Sequence, residues 1–352
     1  MRRSFRYLAV AGLGFVSATG HHAAANEDVA KFYQGKQINL MVGSDVGGGY
    51  DLYARTVARH LGGHIPGQPS IIVQNMPGAG SLKVTNHVAN IAPKDGSVIG
   101  APQNSVAFEP VLHLLSPGGK NAQFDGTKLN WIGSAEQGVY IAVFWHTAGV
   151  KTIDDLKQRE VLVGASSLNT DEAVLANMMN NMFGTKLKLI VGYRGNPSIM
   201  LAMEKGEVAG VPATSYASFA ARQLSWYKEG KVTIPIQMAL DPEPALKDVP
   251  FALDLVKTPD ERRILEVLFT KYKMSRPYFF AEGVPADRVA AMRAAFLATI
   301  KDPKLLAEAE KQRIQPAAVP GEVVQEMVQR IYATPEHLLE KVRAMVGSGG
   351  KE

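Results

Sequence analysis

The sequence predicts an α/β protein of two similar lobes, and three observations carry that prediction. The chain has 352 residues, 46% of them hydrophobic, which is more than one hydrophobic core usually serves. Short apolar runs alternate with amphipathic helical stretches, a pattern that implies right-handed crossovers and mainly parallel sheets flanked by helices. The alternation occurs twice, and each copy has a polar loop after its first strand, which sets two lobes facing each other across a cleft.

Each element has its own signal. Ile38 to Val42 is a short apolar run ended by Gly43, as a buried parallel strand would be. Tyr53, Val57 and Leu61 recur every four residues with Arg55 and Arg59 on other faces, which predicts a helix. Ile71 to Val73 reads as a strand, Leu82 to Ile91 as a helix, and Val98 to Gly100 as a strand after the Asp95-Gly96 turn. The second copy runs through a strand at Val161 to Val163, a helix from Asp171 to Met182, a strand at Leu187 to Val191, a helix from Pro197 to Lys205 and a strand at Val208 to Val211. Phe251 to Tyr272 reads as mostly helical, Pro277 to Phe280 as a strand crossing between lobes, and Ala286 to Ile300 and Glu322 to Met345 as closing helices. One lobe is expected over 26–141 with 280–352 and the other over 142–279, hinged near Val139 to Phe144 and Pro277 to Glu282.

The first residues read as an export signal. Arg2, Arg3 and Arg6 form a basic start, Tyr7 to Ala18 an apolar stretch too short to span a bilayer, and Ala23 to Ala25 a small-residue cleavage site, so residues 1–25 are expected to be removed. Arg2-Arg3-Ser4-Phe5 also partly matches a twin-arginine signal. The formal charge of +5 falls to about +2 without the three leader arginines. That balance, with no basic stripe interleaved with aromatics, argues against nucleic acid as a partner. There is no cysteine, which excludes disulfides, thiolate metal sites, a cysteine nucleophile and an N-terminal lipid anchor.

Three loops are candidates for a ligand. Gly43 to Asp51 holds Gly47, Gly48 and Gly49 between a strand and a helix, where backbone N–H groups and the helix N-terminus suit an anion. Asp51 can equally serve as the helix cap. No Lys-Ser/Thr follows the glycines and the spacing is not Gly-x-Gly-x-x-Gly, so phosphate nucleotides are disfavoured. The counterpart in the second copy, Gly164 to Asp171, offers Ser166, Ser167, Asn169 and Thr170, of which Asn169 or Thr170 can also be a plain cap. The third is the turn Asn75 to Ser81 with Gly78, Ala79 and Gly80. Asn104 and Tyr193 complete the candidate ligand-binding set.

Together these segments resemble the extracytoplasmic solute receptors of tripartite tricarboxylate transporters, the Bug family. The resemblance rests on Ile38 to Asp51, on Asn75 to Ser81, on Ala92-Pro93-Lys94-Asp95-Gly96, on Val191-Gly192-Tyr193-Arg194-Gly195 and on Gly283-Val284-Pro285-Ala286. It implies a type II periplasmic-binding-protein fold with two interdomain crossings, closing on a small carboxylate held by backbone amides, hydroxyls and waters instead of an arginine clamp. Ser44 and Gly47 to Gly49 would then line one side of the ligand, and Ser166, Ser167, Asn169 and Thr170 the other. Integral-membrane transporter subunits are the implied partners of a periplasmic monomer, with no cofactor. Two departures bear on the ligand. Gly43 replaces the family's proline before the first loop, and Asp45, Asp171 and Glu172 add carboxylates near an anion, where they either point away or recognise a polar or amino substituent.

Enzyme motifs are thin. Gly-x-Ser-x-Gly is absent, and Ser225-Trp226-Tyr227-Lys228 has Ser-x-x-Lys spacing without the motifs that accompany it, so a hydrolase using a cleft serine such as Ser44 or Ser166 is the alternative from another class. Within binding proteins the alternative is a sensor that presents its ligand to a signalling receptor, which sequence does not separate from transport. His60 and His64 have metal-ligand spacing, but Gly62 and Gly63 between them end the helix, and no metal is expected. Trp131, Trp145 and Trp226 read as packing residues.

Overall fold

A computed structural model describes residues 27–113, 120–166, 168 and 170–347. The expected export signal and two candidate site residues, Ser167 and Asn169, lie outside them. Two six-stranded sheets organise the chain. In the first, β1 (Gln37–Val42), β2 (Ser70–Asn75) and β3 (Val98–Ala101) pair in parallel, joined by α1 (Gly49–Leu61) and α2 (Leu82–Asn90). The strands β4 (Asn130–Ser134), β11 (Pro277–Phe280) and β12 (Val319–Pro320) extend it antiparallel. In the second, β6 (Val161–Ala165) pairs in parallel with β7 (Leu187–Val191) and β8 (Gly210–Ser215). There β5 (Tyr140–Trp145) runs antiparallel to β8, with β9 (Val232–Thr233) and β10 (Gln237–Met238) on its other edge. Each lobe is thus a parallel core, as the strand–helix alternation predicts, finished by antiparallel strands where the chain crosses over.

The helices of the second lobe are α3 (Asp171–Phe183), α4 (Asn196–Glu204) and α5 (Tyr216–Lys228). The helical stretch expected from Phe251 begins later, as α6 (Pro259–Lys273). There Thr258 accepts from the Glu261 N–H and Glu261 reaches back to the Thr258 N–H, a capping box that fixes the start. α7 (Ala286–Ile300) and α8 (Pro303–Gln312) follow. The closing helix expected over Glu322 to Met345 is two, α9 (Gly321–Tyr332) and α10 (Glu336–Gly347), because Pro335 has no N–H to continue the ladder. The strand expected at Val208 sits two residues later, at Gly210.

Both expected hinge segments run largely within strands. Tyr140 to Phe144 belongs to β5 and Pro277 to Phe280 to β11, both hydrogen-bonded inside sheets, so the expected boundaries at 141/142 and 279/280 cut through strands. The crossings proper are Ala135–Val139 and the residues just before β11, and they run side by side. Ala135 N–H donates to Arg276 O at 2.9 Å, Ser275 N–H to Glu136 O at 3.1 Å and Gly138 N–H to Tyr272 O at 2.9 Å. Behind them one hydrophobic cluster joins Phe108, Trp131 and Phe279 of the first sheet's side to Leu175, Ala213 and Met238 of the second. The C-terminal α10 contributes Leu338, Leu339 and Val342 to it and packs on both α3 and α6. Among the described residues, no helix is long and apolar enough to cross a membrane.

The tryptophans pack as expected. Trp131 is fully buried with its indole N–H bonded to Gly126 O, and Trp145 meets Trp226 edge-on at 5.2 Å. His60 and His64 are committed to carboxylates on α8 and just before it, at 2.7 Å from Glu308 and 2.9 Å from Asp302. No cluster of three or more potential ligand side chains occurs among the described residues.

Candidate functional site

A cavity of about 360 Å³ lies where the paired crossings meet the two lobes, the lower end of the range for small-molecule sites. Tyr50 and Asn104 line it from the first lobe, Glu136, Gly138, Ser275 and Arg276 from the crossings. Tyr140, Asp171, Asn196 and Arg222 are among those that line it from the second. Ser218 and Arg222, four apart on α5, share one helix face, which places both in the cavity.

The two crossings carry opposite charges into it. Arg276 Nη2 lies 3.2 Å from Glu136 Oε2, and the guanidinium sits 4.4 Å from the Tyr50 ring centre and 5.0 Å from that of Tyr53. Burial pushes the Glu136 carboxyl above its usual range, and Arg276 with a Tyr53 hydrogen bond only partly offsets that push. Burial opposes the charge on Arg276 too, but Glu136 and the surrounding tyrosines raise its pKa nonetheless. On the second lobe, Asp171 Oδ1 accepts from Lys271 Nζ at 2.6 Å and from Tyr272 Oη at 3.0 Å, both on α6. Tyr272 stacks on Tyr140 with ring centres 4.2 Å apart, and burial holds both phenols well above their usual pKa. Asn104 is fixed by its N–H to Tyr50 Oη at 3.2 Å and its side-chain amide to Lys271 O at 2.8 Å.

Of the described candidates named from sequence, Asn104 alone lines this cavity. Gly49 lines an adjoining chamber of about 680 Å³ that shares Glu136, Ser218, Arg222 and Arg276 with it. Gly47 and Gly48 are exposed on the loop before α1, with Ser44 half-buried at its start. Gly78 and Ala79 are exposed and Gly80 half-buried in a turn held in the left-handed region from Ala79 to Ser81, where the buried Ser81 hydroxyl donates to Gly43 O and accepts from Gln103 N–H. Ser166, Thr170 and Tyr193 are half-buried outside the cavity, Thr170 at the N-cap of α3. Of the added carboxylates, Asp171 lines the cavity, Asp45 is exposed and Glu172 is buried.

Asp51 is a structural residue here. Its carboxylate accepts from Gly47 N–H at 2.9 Å, Arg55 Nε at 3.0 Å and Asn75 Nδ2 at 2.8 Å, and Asn75 Nδ2 also reaches Ser44 O at 3.0 Å. Burial works against the charged form, yet the bonds from Arg55, Gly47 and Asn75 outweigh it and hold the carboxyl below its usual range. A depressed carboxyl stabilises the fold above the ordinary carboxylate range, and that stability is lost as pH falls through its folded pKa. Asp51→Ala is therefore expected to cost about 2–3 kcal/mol at neutral pH, with the gap to wild type narrowing in acid. Denaturant melts at several pH values check this, and a gap independent of pH would contradict it.

Sequence reasoning did not name Tyr50, Glu136, Tyr140, Asn196, Arg222 and Arg276, and it left open whether Asp171 faces the ligand. Signals for some were present. Tyr50, Asp171 and Asn196 open the helices that follow the loops, and Arg276 directly precedes a segment already read as a crossing strand. The arginine pair also departs from the resemblance, which implied a site without an arginine clamp.

The architecture compares with solved structures. A TctC solute-binding protein from Polaromonas, without ligand, overlays with a TM-score of 0.69 at 19% identity, covering 88% of this chain and 99% of its own. Its fold is that of the TctC- and Bug-type periplasmic binding proteins. The Bug-type likeness extends to the periplasmic binding protein BugD, with a TM-score of 0.54 at 18% identity over 88% of this chain and 98% of that one. It extends also to an R. palustris protein solved with adipate, with a TM-score of 0.54 at 17% identity over 89% and 97%. No family model matches the sequence, and no curated protein matches it by sequence.

Proposed function

We propose that this chain is a periplasmic solute receptor of the tripartite tricarboxylate type, which closes its lobes on a small carboxylate and presents it to membrane transporter subunits. The observation that carries the reading is the interlobe cavity at the paired crossings, with Arg276 anchored on one crossing and Arg222 on the facing helix. Arg222 makes no ion pair or side-chain hydrogen bond among the described residues, so its charge is available to an anion. The fold supports the same role, as does adipate in one protein that shares it. Among the described residues no histidine lines the cavity, and the Ser275 hydroxyl donates to Tyr272 O, an arrangement that suits holding a ligand better than activating a nucleophile.

Closure gives the loops their part. Ser44, Gly47, Gly48, Gly78, Ala79 and Gly80 on one lobe, and Ser166, Ser167, Asn169, Thr170 and Tyr193 on the other, reach the ligand in this reading when the lobes shut. Removal of residues 1–25 after export, a monomeric state and no enzymatic turnover belong to the same proposal.

Thermal unfolding against malate, succinate, adipate and glutamate tests it. A ligand at a hundred times its Kd adds about 2.7 kcal/mol, so the midpoint should rise saturably for at least one of them, and Arg222→Met should abolish the rise. A flat response for all four, after unfolding and refolding to strip retained ligand, would sink the carboxylate assignment.

A further inference from the structure

A second charged cavity lies apart from the interlobe one and shares no lining residue with it. It encloses about 240 Å³ between α6 and α9, with Leu240, Asp241 and Leu253 of the second lobe closing one side. On α6, Arg262 and Arg263 each lie three or four residues from Glu266, and Thr270 and Lys273 continue the row, so one helix face carries all five. Arg330 comes from α9, together with Met327 and Ile331. Buried Leu253, Val267 and Ile331 give the cavity an apolar floor.

The charge there is not balanced. The lining carries four cations, Arg262, Arg263, Lys273 and Arg330, and two carboxylates, Asp241 and Glu266. Among the described residues every ion pair these six make is with another of the six, so no outside partner alters the count. Lys273 is matched to Asp241 at 2.6 Å. The three arginines share Glu266, at 3.5 Å from Arg262 Nε, 3.4 Å from Arg263 Nη1 and 3.1 Å from Arg330 Nη2. All three distances exceed the roughly 2.7–2.9 Å of a strong charged hydrogen bond. One carboxylate thus faces three guanidiniums, and two positive charges are left over. Backbone carbonyls fix two of the arginines, Arg262 Nη1 donating to Leu253 O at 3.0 Å and Arg263 Nη2 to Arg330 O. Arg263 and Lys273 are only about a fifth exposed, so water screens their repulsion poorly.

We infer that this cavity is a second binding site, for a small divalent oxyanion of the sulfate or phosphate class, held by Arg262, Arg263, Arg330 and Lys273. Two negative charges match the excess, and guanidinium N–H groups suit tetrahedral oxyanion oxygens. The volume is below the roughly 300–1,000 Å³ of sites for larger molecules, which fits a compact ion. Because α9 packs on β4 of the first sheet and Asp241 follows β10 of the second, the ion ties the two lobes together. The inference is independent of the solute that the interlobe cavity takes.

Thermal unfolding in sulfate tests it, at up to about 10 mM with ionic strength held constant by sodium chloride so that general salt effects stay small. The wild-type midpoint should rise and saturate, and Arg330→Gln should raise the half-saturating concentration by about tenfold or more. Arg262→Gln carries the same expectation, should Arg330→Gln fail to fold; the two are the most exposed of the four cations. Arg222→Met, in the interlobe cavity, should leave the sulfate response within about twofold. A midpoint that does not move, a rise without saturation, a saturable rise that survives unchanged in Arg330→Gln and Arg262→Gln, or one lost in Arg222→Met would overturn the inference.

Discussion

Arg276→Ala is expected to weaken carboxylate binding by about a hundredfold or more, enough to remove any midpoint rise at concentrations that saturate the wild type. Arg276 is the cation fixed from several sides: the Glu136 carboxylate, the Ser275 carbonyl at 2.8 Å, and the faces of Tyr50 and Tyr53. Its truncation removes a donor and also leaves Glu136 without its counter-charge. Both side chains are about a fifth exposed, so the loss of ligand-free stability should be modest, about 2 kcal/mol. That loss has a defined pH dependence. A carboxyl raised by burial favours the fold below its unfolded pKa, and the benefit disappears as pH rises through its folded pKa. Without Arg276 the Glu136 carboxyl should rise further, so the variant's deficit should grow from acid to neutral pH. This trend is opposite in origin to that of Asp51→Ala, where a favourable bond is lost, and the two are separated by their effect on binding. Arg276→Lys keeps the charge but not the planar fork and should recover stability more than affinity.

Gly100→Val should have the largest effect on the fold, about 3 kcal/mol or more. Gly100 lies in β3 between β1 and β11, and a Cβ there would run into the edge of the Phe279 ring at Cε1 and Cζ. The ring has no room to yield, since Phe279 is fully buried and packs against Trp131 with ring centres 5.5 Å apart. The strand that must move instead is β11, which leads directly from Arg276, so the substitution should also disturb the crossing. Chemical denaturation measures the cost, and a change under about 1 kcal/mol would mean that β3 and β11 are not packed as described.

The parallel halves of both sheets were legible because most of their strands hold a short apolar run and the helix after β1 carries a clean four-residue repeat in Tyr53, Val57 and Leu61. Antiparallel strands were harder. Tyr140 to Trp145 is equally apolar, but nothing in a run of that length says which sheet it joins. The break in the last helix was carried by one residue, Pro335, within otherwise amphipathic sequence. The candidate loops precede helices whose first turns line the cavity at Tyr50, Asp171 and Asn196, and glycines or hydroxyls in a loop do not single out the residues that follow it. Asp51 illustrates the ambiguity of an acidic residue after a glycine run: its bonds to Gly47 and Arg55 are local, but the one to Asn75 comes from a strand more than twenty residues away. Glu136 and Arg276 are 140 residues apart, and only the side-by-side pairing of the crossings brings them together.

Isothermal titration of adipate and glutamate into the refolded protein, in parallel with Arg276→Ala, tests the central claim most directly. One site per chain with saturable heat for at least one of the two, lost in the variant, is the predicted result. No heat for either, or equal heat in wild type and Arg276→Ala, would contradict a carboxylate site at the paired crossings.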